Sequence, residues 1–305
     1  MSTLHVLMPP LAHIAGDSAF TRWLARGDRL PDSRDARIVA LRERFRFPGD
    51  AFPVAALRHH CHADDAGTTA WLCADPAYVR GEAVGARLMA CPVDDITAAE
   101  ADGFAAALRP LFGDLGVPLA IDTPSAWCVR MADRAPRTEF VRPAHALGVD
   151  LIECLPGGDA GRKWRRLFNE AQIALHAHPL NAARTASGRL PVNALWFWGA
   201  GALPDRVESD LRVAAGVDDV LRGLAGIAGV TCVEPSHAAL EAACRDGDAL
   251  LDLAGPGQAE DMAAWPVHFR RWLGEARFDA IACTFATGER FRIRHAHRLR
   301  FWRRA

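Results

Sequence analysis

Between residues 161 and 204 the hydrophobic period changes from helical to extended across one short, proline-broken connection. That order constrains the chain more than any other stretch. Residues 161–177 place Trp164, Leu167, Phe168, Ala171, Ile173, Ala174 and Leu175 on one broad helical face. Residues 194–198 are apolar and aromatic and predict a buried strand. Gly199 and Gly201 follow, where such a strand hands over to a loop. A helix feeding a core strand belongs to an α/β sheet, and ligand sites collect beyond strand ends in such sheets.

The connection carries the candidate ligand-binding residues. Arg184 can grip a phosphate or carboxylate with two parallel N–H groups, or pair with a nearby acid. Asn181 and Asn193 can orient a ligand or cap the turns they flank. Trp196 and Trp198 share one strand face and Phe197 takes the other, so Trp198 is placed to line a cleft. Gly199 and Gly201 can present backbone N–H groups to an anion, or supply positive φ. His176 and His178 are the nearest general acids or bases. No serine or cysteine stands beside them, so no catalytic residue is assigned.

Elsewhere the pattern alternates strands and helices. Residues 4–8 predict a first strand, and residues 18–26 and 34–45 predict helices. Residues 70–73 predict a strand closed by Asp75 and Pro76. From residue 86 the order becomes strand, helix, strand, strand, with Thr97 and Glu100 spaced as a capping box. Residues 133–136 then read as an exit loop. Helices follow at 217–224 and 263–273, with strands at 230–233 and 249–253. The chain closes with a hairpin of residues 278–285 and 290–302, turning at Thr287 and Gly288.

Charge and cysteine usage narrow the function classes. The formal net charge is −1, which gives the molecule no general pull toward nucleic acid or membrane. No run approaches the ~18 apolar residues of a membrane span, and the start lacks a secretory signal pattern. A cytoplasmic protein is expected. The eight cysteines are scattered singly; the lack of a Cys-x-x-Cys pair argues against zinc, and several sit in apolar runs that predict reduced core residues. His59, His60 and His62 beside Asp64 and Asp65 read as a solvated loop, with metal ligation as the alternative. Arg290, Arg292, Arg294, Arg298, Arg300, Arg303 and Arg304 alternate with apolar residues as on an edge strand; nucleic-acid binding is the disfavoured alternative.

These residues resemble the RpfE-type regulatory proteins of plant-associated and related proteobacteria. The pieces that carry the resemblance include Leu24, Ala25, Arg26, Gly27 and Asp28; Asp75 and Pro76; Trp127; Asn169, Glu170, Ala171 and Gln172; His178, Pro179, Leu180 and Asn181; Asn193 through Gly201; and Phe301, Trp302, Arg303 and Arg304. Over roughly residues 86–255 the chain is also distantly similar to archaeal-type cofactor-independent phosphoglycerate mutases of the alkaline phosphatase superfamily. There the shared pieces are Asn181, Arg184, Gly188 and Asn193, the Gly199–Gly201 turn, and Gly216 with Asp218, Leu221, Gly223 and Gly229.

The resemblance implies a three-layer α/β sandwich of the alkaline-phosphatase type. An inserted α+β lobe at residues 80–155 would separate core segments 1–79 and 156–305. It also implies where the mutase machinery would sit, and there the chain departs. An Asp-Gly metal motif after the first strand is replaced by Met8, Pro9, Pro10 and Leu11. No nucleophile segment stands in residues 15–70. The late Asp-x-x-Gly-His segment becomes Asp252, Leu253, Ala254, Gly255 and Pro256. Two-metal phosphoryl transfer depends on such ligands. The expectation is therefore a non-catalytic regulatory or ligand-sensing protein without a cofactor. It would bind a small anionic metabolite or a regulatory protein partner through Asn181, Arg184, Asn193, Trp198, Gly199, Gly201 and His178. The alternative is a phosphotransferase using a divalent metal such as manganese or zinc.

Overall fold

The structure, a computed structural model, describes residues 2–14, 18–67, 69–132, 138–255, 262, 264–300 and 302. The chain divides into two compact units, residues 1–48 with 206–305, and residues 49–205. In chain order the first segment carries β1 (Thr3–Met8), α1 (Ser18–Ala25), β2 (Asp28–Leu30), α2 (Ala36–Arg44) and β3 (Phe45–Arg46). The second unit carries α3 (Val54–His60), β4 (Ala70–Gly81), β5 (Ala86–Ala90), α4 (Ala98–Asp114), β6 (Leu119–Thr123) and β7 (Ala126–Arg130). It continues with α5 (Pro143–Ala146), α6 (Leu151–Cys154), α7 (Arg162–His176), α8 (Pro179–Ala186) and β8 (Ala194–Ala202). The chain then returns to the first unit with β9 (Glu208–Ser209), β10 (Leu211–Ala215), α9 (Asp219–Ala228), β11 (Thr231–Val233) and α10 (His237–Ala243). It ends with β12 (Asp248–Asp252), α11 (Trp265–Gly274), β13 (Ala280–Phe285) and β14 (Arg290–Arg294).

The first unit is a three-layer α/β sandwich. Its sheet has the order β11-β10-β12-β1-β13-β14-β2, parallel from β11 to β13 and antiparallel beyond. Alternation along β1 sends Leu4, Val6 and Met8 into a core with Phe20, Leu24, Phe269 and Trp272 of α1 and α11. His5 and Leu7 face the other side, where α2 lies; Arg44 of α2 reaches His5 at 3.2 Å. Burial of both faces explains why β12 and β13 read as near-continuous apolar runs.

The second unit is an antiparallel sheet built on β4, which pairs with β5, β7 and β8. Phe104, Leu108 and Phe112 of α4 and Trp164, Leu167 and Phe168 of α7 form one core with Trp127, Trp196 and Phe197, whereas Ile173, expected on the same face of α7, is exposed. The capping box at Thr97 is present, with each partner bonded to the other's backbone. This unit extends beyond the expected lobe of residues 80–155 on both sides, because β4 and β8 belong to its sheet.

Several local expectations are corrected. β4 does not stop at Asp75 and Pro76 but runs through them, with Pro76 opposite Leu195. β8 continues through Gly199 and Gly201, at an irregularity in its pairing with β4. His59 and His60 lie on α3, not in a loop. β14 ends at Arg294 and gives way to a 3-10 turn at His295–Leu299; it lies between β13 and β2 and is not an edge. The expected exit loop at 133–136 falls outside the described residues, as do Arg303 and Arg304. All eight cysteines are free; Cys73, Cys128, Cys154, Cys244 and Cys283 are buried, and Cys61 and Cys232 are exposed. No helix among the described residues is long and apolar enough to cross a membrane.

Candidate functional site

The carboxyl ends of the parallel strands are where the resemblance places chemistry. β12 ends at Asp252, which is 1% exposed and accepts the Ala254 N–H at 3.0 Å. Arg37 of α2 donates to Asp252 Oδ2 at 2.5 Å and lies 2.8 Å from Asp218 Oδ1. Asp218 also caps α9 by accepting the Leu221 N–H at 3.1 Å. One guanidinium thus bridges two carboxylates. Burial pushes the Asp252 carboxyl up, and Arg37 offsets this only in part. Burial would lower Arg37, but Asp218 and Asp252 outweigh it and raise the guanidinium above its ordinary range. Gly216 permits this packing, since a Cβ there would lie 2.7 Å from the Leu221 side chain and 3.1 Å from that of Asp252.

A two-metal centre needs several carboxylate or imidazole ligands with free lone pairs. The described strand ends offer Asp218 and Asp252, both turned on Arg37, and the buried apolar Met8. These residues do not fit a pair of divalent metals.

No family model matches the chain. It is distantly similar to cofactor-independent phosphoglycerate mutases. The 2,3-bisphosphoglycerate-independent phosphoglycerate mutase of Methanosarcina barkeri is 33% identical over 103 residues, 32% of this chain and 26% of that protein. The mutase of Methanosarcina mazei is 28% identical over 102 residues, again 32% of this chain and 26% of the relative. The probable mutase of Geobacter sulfurreducens is 35% identical over 65 residues, 21% of this chain and 16% of its own. These matches span about a quarter of the relatives' length or less. Among solved structures, the PH0037 protein of Pyrococcus horikoshii superposes with a TM-score of 0.47 at 13% identity, covering 95% of this chain and 86% of that one. The cofactor-independent phosphoglycerate mutase of Thermoplasma acidophilum gives 0.38 at 16% identity, covering 95% and 88%.

A second feature of the first unit is a pocket of about 390 Å³. Arg22 of α1, Arg26 in the turn that follows it, Arg270 of α11, and Arg294 and Arg298 line it, together with Trp23, His295 and His297. No acidic side chain among the described residues lines it. None of the five arginines is ion-paired with a carboxylate among those residues. Asp28, 3.6 Å from His297, is already bonded to Arg300 at 2.6 Å. Like charges converging without counter-ions create a local positive potential that an anion relieves.

The expected ligand residues all lie in the second unit. Arg184 has 0% exposure. Its Nε donates to the Leu190 carbonyl at 2.8 Å, one terminal nitrogen to Glu100 at 3.1 Å, and the other to Asp95. Asn181 is buried, donating to the Leu175 and Val192 carbonyls and accepting the Val192 N–H, each at 2.8 Å. Asn193 clasps the backbone of Val79 in β4 through two bonds of 2.8 Å. These bonds tie all three side chains to the protein's own backbone and acids. His178 caps α8, and its ring packs on Phe104 with centroids 4.9 Å apart. Gly199, at φ 64°, and Gly201 let β8 approach α3: a Cβ would come within 2.8 Å of Val54 Cβ and 2.7 Å of Pro53 Cβ. Their role is close packing.

Trp198 leads elsewhere. Its indole N–H donates to Asp75 Oδ2 at 2.7 Å. Asp75, 1% exposed, also takes two bonds from Arg58 of α3, at 2.9 and 2.8 Å, and the Trp127 N–H at 3.3 Å. Beside Arg58, His59 lies between Asp122 and Asp65, at 2.6 and 2.8 Å. Burial lowers the His59 imidazole, but the two carboxylates outweigh it and raise it above its ordinary value.

Sequence reasoning misses Arg37, because its partners lie 181 and 215 positions away and nothing local marks them. Arg22 and Arg26 carry a weak signal: they are spaced four apart, at and just beyond the end of an amphipathic helix, without an acid between them.

Proposed function

We propose that this chain is a regulatory or ligand-sensing protein that binds a small, multiply charged phosphate-type anion on a phosphatase-like scaffold and transfers no phosphoryl group. The observation that carries it is the pocket of five arginines without a carboxylate partner among the described residues. Guanidinium groups match phosphate oxygens in planar, paired hydrogen bonds. A pocket of this size suits a metabolite, and Trp23 offers a flat apolar wall. The RpfE-type resemblance supports a regulatory, cytoplasmic role, and Arg26 and Asp28 belong to one of its pieces.

The similarity to curated phosphoglycerate mutases favours a second reading, a phosphotransferase. Against it stands Arg37, whose guanidinium engages the strand-end carboxylates. An arginine supplies charge but cannot act as a Lewis acid or activate a bound nucleophile.

Calorimetric titration with pyrophosphate tests the proposal. The expected result is saturable binding, with a rise in melting temperature as the native state is stabilised by mass action. Arg22→Ala and Arg298→Ala remove pocket-lining side chains and are expected to leave the fold intact. Each is expected to weaken binding about tenfold or more, the loss of one charge-assisted contact. No binding, or affinity unchanged in both variants, overturns the assignment. Salt-dependent binding to single-stranded nucleic acid through the same arginines, with none to pyrophosphate, also overturns it.

A further inference from the structure

We propose that His59, Asp122 and Cys128 form a zinc site in the second unit. This inference does not rest on the anion pocket or on the strand-end trio, which belong to the other unit. His59 Nδ1, a carboxylate oxygen of Asp122 and Cys128 Sγ all lie within 4.8 Å of one another. The sulfur is 3.5 Å from Nδ1 and 3.4 Å from Asp122 Oδ2. Zinc bonds of roughly 2.0–2.3 Å in tetrahedral array put neighbouring ligand atoms about 3.3–3.7 Å apart. Both sulfur distances match that spacing. The 2.6 Å contact between Nδ1 and Asp122 Oδ1 is a hydrogen bond, which a small rotation of the carboxylate opens.

The three ligands come from rigid elements: a helix and two paired strands. Cys128 of β7 pairs with Ala120 of β6. Asp122 sits at the irregularity of that ladder, between Ile121 opposite Trp127 and Thr123 opposite Ala126. Such irregularities re-aim a side chain. The His59 ring is fixed by packing on Trp71, with centroids 3.8 Å apart. Its Nε2 lies 2.8 Å from Asp65, the outer carboxylate that orients a ligating imidazole and leaves the other ring nitrogen for the metal.

The chemistry selects the ion. Sulfur, imidazole nitrogen and one carboxylate suit zinc, whereas magnesium and calcium take oxygen sets. One thiolate and one carboxylate neutralise a dication, so the buried centre carries no net charge. Arg58, the adjacent cation, is already committed to Asp75. Binding converts the Cys128 thiol to a thiolate and releases its proton to solvent; the imidazole proton between Nδ1 and Asp122 leaves likewise. A fourth position remains for water.

The test uses the full chain, reduced, stripped with chelator and titrated with cobalt(II). One equivalent is expected to bind, with a thiolate-to-cobalt charge-transfer band in the near ultraviolet and the visible bands of a tetrahedral ion. Cys128→Ser is expected to lose the charge-transfer band. Asp122→Asn and His59→Gln are expected to weaken binding more than tenfold. Cys61→Ser and Cys232→Ser, which alter the exposed thiols, are expected to change nothing. Absence of the band in the unmodified chain, or its persistence in Cys128→Ser, overturns the site. Should Cys128→Ser fail to fold, zinc-edge X-ray absorption of the unmodified chain decides: one sulfur at about 2.3 Å is expected, and none or more than one overturns the assignment.

Discussion

Replacing Arg184 by alanine separates a structural role from a binding one. The guanidinium has 0% exposure and holds Asp95, Glu100 and two backbone carbonyls. Removing one partner of a buried ion pair costs roughly 3–5 kcal/mol, because the other charge is left uncompensated. Two facts place the loss near the low end. Asp95 is 50% exposed and can be resolvated, and Glu100 keeps Arg189 at 2.8 Å. A loss of about 3 kcal/mol corresponds to a fall in melting temperature of roughly 6–12 °C for a chain of this size. Burial would raise the Glu100 carboxyl, but the Thr97 backbone, Arg189, the Thr97 hydroxyl and Arg184 hold it at about 2. A depressed carboxyl contributes stability above its unfolded value of 4.5 and loses it as pH falls toward 2. The gap between Arg184→Ala and the parent should therefore narrow across that window. Arg184→Lys should recover part of the loss, since lysine reaches one partner without the planar fork. Differential scanning calorimetry from pH 7 to pH 3 measures all three. A melting temperature within 2 °C of the parent, with lost affinity for pyrophosphate, would falsify the structural assignment.

Other consequences are local. Gly199→Ala meets both a left-handed backbone and a 2.8 Å approach to Val54, so a loss of at least ~2 kcal/mol is expected in denaturant unfolding; a neutral result contradicts the close packing of α3. Thr97→Ala removes half of the capping box and should cost about 1 kcal/mol, readable as a shifted urea midpoint with unchanged slope. His5 is pushed down to about 4 by burial and Arg44 against Asp248, with Arg292 adding to the repulsion. Its unfolded form binds the extra proton between pH 6.5 and 4, so stability falls as pH drops through that window; His5→Asn should flatten the fall, and an unchanged slope would refute the assignment.

The helices with strong periodicity are legible from the order of residues alone. α4 and α7 carry their apolar residues at regular spacing, and Thr97 and Glu100 mark where α4 begins. Strand limits are less legible when a breaker sits inside a pairing. Pro76 lacks an N–H yet stays in β4, and Gly199 bends β8 without ending it. α8 is hidden because Pro179, at its first turn, reads equally as a loop. Arg184, Asn181 and Asn193 look like ligand groups in sequence because polar residues in a tight connection are ambiguous. Their long-range partners, such as Glu100 for Arg184 and Val79 for Asn193, are not legible in the sequence. Asp75 and Trp127 are visible as motif pieces, but their meeting with Arg58 and Trp198 depends on strand register. The arginine-lined pocket joins residues from both ends of the chain, which no local pattern links.

The most direct test of the central claim is a mutase assay on the purified chain. Interconversion of phosphoglycerates is followed with manganese, magnesium or cobalt supplied in excess. Arg37 engages both Asp218 and Asp252 at the described strand ends, and on the proposed reading the expected rate equals that of buffer with metal alone. Turnover above that background, abolished in Asp252→Asn, would contradict the account.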